Sequence, residues 1–63
     1  MKYNQSLWNN ISAFLKVKSI KHIVLIHDKF DNTMFAYNIF THKPMTINKL
    51  IAELRKMFLI QNV

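Results

Sequence analysis

The sequence predicts a small α+β domain of order α-β-β-α: an antiparallel hairpin packed by two amphipathic helices. Three features carry that expectation. Apolar residues recur at helical spacing near the start, and two β-rich runs follow around a cluster of turn formers. A second helical repeat then begins behind a lone threonine.

In the first segment, Leu7, Trp8, Ile11, Phe14 and Leu15 share one helical face while Asn9, Asn10 and Ser12 fall opposite. Asn4 and Ser6 are natural N-caps, because a short polar side chain can accept from the unpaired amides of a first turn. The helix is expected over about residues 5–17, with Lys16 and Lys18 at the negative pole of its dipole.

Residues 20–27 and 33–41 are dense in β-branched, aliphatic and aromatic side chains, and 28–32 (Asp-Lys-Phe-Asp-Asn) supply the turn. If Lys29 to Asn32 form the loop, alternation puts Ile20, His22, Val24 and Ile26 on one face with Phe35, Tyr37, Ile39 and Thr41. This face, richer in large apolar groups, is the expected core face. The reverse face carries Lys21, Ile23, Leu25, His27, Met34, Ala36, Asn38 and Phe40 and is only half polar.

Proline cannot donate to a ladder, so Lys43-Pro44 is expected to end the second strand. Thr46 then caps a helix in which Ile47, Leu50, Ile51, Leu54 and Phe58 follow the i, i+3, i+4 rule, with Asn48, Lys49, Glu53, Arg55 and Lys56 on its polar side.

Sixty-three residues allow one domain, 1–63, and a core of thin margin, since a chain this short buries only about 60% of its unfolded surface. Without cysteine there is no disulfide staple and no thiolate metal cage. The 51% hydrophobic content therefore points to a dense core completed by a partner. A lone hairpin is marginal in water, and Ile23, Leu25, Met34 and Phe40 would remain on an open face with open edges. These observations raise a homodimer with a four-stranded sheet.

No apolar run has the length of a signal peptide or a membrane span, so a soluble cytoplasmic protein is expected. The complete lack of glycine excludes phosphate-cradling loops, dinucleotide fingerprints and nucleophile elbows. His22 and His27, five apart on one strand, point to opposite faces and do not chelate one ion; His27 with Asp28 and Asp31 is better read as turn chemistry. No spacing singles out Ser19, His42 and an aspartate as a hydrolytic trio. No enzyme activity, cofactor, metal or small-molecule substrate is expected, and a chain this small is ill suited to enclose a substrate pocket.

The remaining signal is charge. Eight lysines and one arginine against three acids give a net charge of +6, which favours anionic partners. Antiparallel pairing of Ile20 with Thr41 would gather Lys16, Lys18, Lys21 and His22 with His42, Lys43 and Lys49 at one pole. Arg55 and Lys56 extend the positive surface along the second helix. The expected function is a small basic regulator or inhibitor binding an acidic protein surface through its hairpin edge or second helix. The alternative is a nucleic-acid-associated protein seated on phosphates by its lysine pole. The single arginine and the absence of a stacking motif weigh against the second.

The double-stranded RNA-binding domain is of similar size and runs α-β-β-β-α. This chain lacks the expected third strand, the glycine-containing loop and the paired lysines that open the last helix, and is not assigned to that family.

Overall fold

A computed structural model describes residues 1–59, the last two by their backbone alone. Its elements are α1 (Gln5–Val17), β1 (Ile23–Asp28), β2 (Thr33–Asn38), β3 (Lys43–Met45) and α2 (Ile47–Leu59). The α+β class, both helices and the hairpin stand as expected, and a third strand is added. The three strands form one antiparallel sheet of order β1-β2-β3.

Both helix starts follow from local chemistry. The Asn4 side-chain oxygen accepts from the Leu7 amide at 3.0 Å, and the Thr46 hydroxyl accepts from the Lys49 amide at 3.1 Å. The end of α1 is less ordinary. Ile20 N–H donates to the Leu15 carbonyl and Ser19 N–H to that of Lys16, the paired bonds of a Schellman motif. Its left-handed position, usually glycine, is held here by Ser19 at φ 56°. Ile20 therefore belongs to the helix stop, where it packs against the core, and not to β1.

The β1–β2 register is Asp28 opposite Thr33 through Ile23 opposite Asn38, as the four-residue loop Lys29–Asn32 requires. β2 stops at Asn38 because Asn38 turns the chain. Its side-chain oxygen accepts from the amides of Phe40 and Thr41 at 2.9 and 3.1 Å. His42 closes this turn in the left-handed region at φ 58°, its amide bonded to the Asn38 carbonyl. The first turn follows the same plan ten residues earlier: Asp28 accepts from the Phe30 amide, and Asn32 takes the left-handed position at φ 57°. Asx side chains that imitate backbone acceptors make such turns without glycine. Beyond the second turn, β3 pairs Lys43, Pro44 and Met45 with Asn38, Tyr37 and Ala36. Pro44 thus sits in the middle of an edge strand and does not end the sheet, a position that costs no ladder bond because its nitrogen faces the solvent side. The third strand removes one of the three differences from the double-stranded RNA-binding domain; the other two stand.

The N-terminal residues lie beside the other half of β2. Lys2 bridges Thr33, with Tyr3 N–H donating to the Asn32 carbonyl and Met34 N–H to that of Met1. β2 is therefore paired along both edges.

The core corrects the expected face. Ile23, Met34 and Ala36 are buried with Ile11 and Leu15 of α1 and Ile47, Leu50 and Leu54 of α2. Leu25 and Met45 pack at its margin, as do Leu7, Trp8 and Phe14 of α1. α1 lies on β1 and α2 on β2. Val24, Ile26, Phe35 and Tyr37, expected inside, occupy the uncovered side of the sheet. The reason lies at the strand ends. Ile20 is taken by the helix stop, His22 by the link into β1, and Ile39 and Thr41 by the second turn, so half of the eight residues of the expected face are not in strands at all. What remains is a choice between a face centred on Ala36, flat enough for a helix to approach, and one raised by Phe35 and Tyr37. The role expected of Phe58 falls outside the described side chains.

Candidate functional site

The uncovered face is continuous and apolar. Val24, Tyr37 and Pro44 form one cross-strand row, and Ile26 and Phe35 the next. Val24 and Ile26 each keep 37% of their surface exposed although they sit in mid-strand. Asp28 and Thr33 close the row at the far end. Both turns add an exposed aromatic tip: Phe30 is fully exposed and Phe40 77% exposed.

One end of the sheet is rich in basic residues. The Schellman stop, the link into β1 and the β2–β3 turn meet there, tied by the Ile39 amide donating to the His22 carbonyl at 2.8 Å. The His22 ring lies parallel to that of Phe40, with centroids 5.0 Å apart. Ser19, Lys21, His22, Ile39 and Phe40 line a hollow of about 310 Å³ that is broadly open to solvent. A small ligand there would keep much of its surface in water, unlike the enclosed sites that bind metabolites.

The sequence-derived site residues divide accordingly. Lys16 lies in the last turn of α1 and Lys18 is its C-cap; Lys21 follows in the link. His42 and Lys43 close the β2–β3 turn at the same end of the sheet. Lys49, expected in this group, stands in the first turn of α2, which begins beyond the far end of β3. Arg55 and Lys56 lie further along α2. Asn48, Lys49, Glu53, Arg55 and Lys56 are all exposed, making the outer side of α2 mostly polar among the described residues, with Met57 its exposed large apolar side chain.

The other histidine has a structural setting. His27 stacks on Tyr3 with centroids 3.8 Å apart, its Nε2 lies 3.1 Å from the Asn32 side-chain oxygen, and Trp8 leans on both rings. This cluster fastens the N-terminal segment and α1 to the first turn. Among the described residues no group of three or more His, Asp or Glu is placed to hold a metal ion. No described helix is long and apolar enough to cross a membrane.

Sequence reasoning missed Val24, Ile26, Phe35 and Tyr37 as surface residues. The signal that would have found them is Asn38 followed two residues later by Phe40, the same pattern as Asp28 and Phe30, which marks a second turn and ends β2 early. Compared with known proteins, the chain matches no family model, no curated protein and no solved structure.

Proposed function

We propose that this chain is a small non-enzymatic regulator or inhibitor that docks on an acidic protein surface through the uncovered side of its hairpin. The observation that carries the reading is the apolar row Val24, Ile26, Phe35 and Tyr37, which runs up to the end of the sheet where the link with Lys21 and the turn with His42 and Lys43 lie. Burial of the row would supply affinity, because contiguous apolar patches on small proteins mark interaction sites. The lysines at that end of the sheet, with Lys16 and Lys18 at the end of α1 and Lys49, Arg55 and Lys56 on α2, would supply attraction toward a negative partner and speed the encounter. The sequence suggests the hairpin edge or the second helix as the route; the apolar row shifts the weight to the open face of the same hairpin.

Affinity purification from the native host tests it. After nuclease treatment the wild-type chain should retain a stoichiometric acidic protein, and Ile26→Lys, which keeps the positive charge but breaks the apolar row, should lose it. Equal retention by both chains, or no retained protein, counts against the reading.

A second reading has its own support. Phe35 and Tyr37 lie side by side on the open face of the central strand, where aromatic rings can stack bases, beside a lysine pole that suits phosphates. It predicts oligonucleotide binding that weakens steeply with salt. Phe35→Ala should then cost about 1–3 kcal/mol for a stacked base. Filter binding with no retention at low salt removes this alternative. The aliphatic neighbours Val24, Ile26 and Pro44 suit a protein contact better than a nucleobase, which is why it ranks second.

A further inference from the structure

We infer that β1 pairs antiparallel with β1 of a second copy, about a two-fold axis at Leu25, to give a continuous six-stranded sheet. Among the described residues β1 is an edge strand, paired with β2 on one side. Its free side can be read from the ladder. Ile39 donates to His22, so the hydrogen-bonded pairs of the hairpin continue through Val24, Ile26 and Asp28, and the backbone groups of Ile23, Leu25 and His27 point away from the sheet. This edge has six residues, four of them apolar in succession, and contains neither lysine nor proline. Natural edges left in that state are templates for another strand.

The choice of a second copy rests on how β1 matches itself. Centred on Leu25, all three outward-pointing residues enter hydrogen-bonded pairs: Leu25 with its own equivalent, and Ile23 with His27 in both directions. Val24 then faces Ile26 of the second copy on the uncovered side, joining the two apolar rows. Asp28, the strand's one acid, faces His22 of the second copy and not another acid. Moving the axis by one residue places Asp28 opposite Val24 or Ile20 and leaves an outward residue paired beyond the strand. In the chosen register Lys21 and Lys29 of the second copy oppose each other just outside the paired segment, where both side chains are exposed and free to diverge. The inference does not depend on the acidic-partner reading, because it concerns the purified chain alone.

A strand-edge interface is smaller than the usual 800 Å² or so per partner, so the test belongs at roughly 100 μM protein. The chain has no cysteine, which allows the register to be read by cross-linking. Across a non-hydrogen-bonded antiparallel pair the Cα atoms lie roughly 4.5 Å apart, within disulfide range. Val24→Cys and Ile26→Cys chains, mixed and mildly oxidised, should form a covalent dimer, whereas neither alone should. Sedimentation of the wild-type chain should give twice the 7.6 kDa monomer mass. Cross-linking of either single-cysteine chain as efficient as that of the mixture overturns the register. A monomer in sedimentation, with no cross-link in the mixture, overturns the dimer.

Discussion

The two faces of the sheet are built from alternating residues of the same strands, yet one is sealed by helices and the other is open. Met34 and Ala36 are 1% and 0% exposed, while Phe35 between them stands on the uncovered side with Val24 and Ile26, each 37% exposed. The open face has the larger aromatic content. Hydrophobicity alone therefore does not choose the core; the choice falls to the face on which the connecting segments can lay helices. Ala36, a methyl group at the centre of the sheet, gives α2 room to seat Ile47 and Leu50, both essentially inaccessible to solvent.

Neighbouring substitutions should separate the faces most sharply. Met34→Ala is expected to cost about 2–5 kcal/mol by opening a cavity. Phe35→Ala, one residue away, should cost at most about 1 kcal/mol, the scale of a cross-strand pair. Urea unfolding followed by circular dichroism measures both, and equal losses would erase the distinction. Next in size, Ala36→Leu should lower stability by about 1–3 kcal/mol through overpacking against α2. Its counterpart Tyr37→Leu, on the open face, should leave the midpoint nearly unchanged.

The smallest effect probes why the covered face won. Ser19 holds a left-handed backbone that costs a non-glycine residue roughly 1–2 kcal/mol. Ser19→Gly relieves this at an entropic cost of about 0.5–1 kcal/mol. A net gain of about 0.5–1 kcal/mol is expected in the same denaturation assay. No gain would mean that the Schellman stop keeping Ile20 out of β1 carries no strain. Asn32→Gly should gain less than Ser19→Gly, because asparagine tolerates this conformation and the Asn32 side chain also holds His27.

Much of the fold was legible in short stretches of sequence. Asn4 and Thr46 cap the helices, the apolar spacing marks their buried sides, and the loop at Lys29–Asn32 sets the hairpin register. Each rests on interactions within a few residues. The end of β2 was not legible in the same way, because Asn38 acts as a turn former only through bonds to Phe40 and Thr41, and no glycine announces the turn. Lys43-Pro44 looked like a stop for the same reason, although proline on an outer strand loses nothing. In the candidate site, the gathering of Lys21, His42 and Lys43 at one pole followed from antiparallel pairing. That Lys49 follows a further strand, in α2, did not.

Periodicity and caps thus sufficed for the helices, the first hairpin and the class of fold, since these are decided between residues close in the chain. Which side of the sheet became interior was settled only when α1, α2 and the N-terminal segment converged on it. Alternation makes either face available, and only the geometry of the connections and the small side chain of Ala36 favour one over the other.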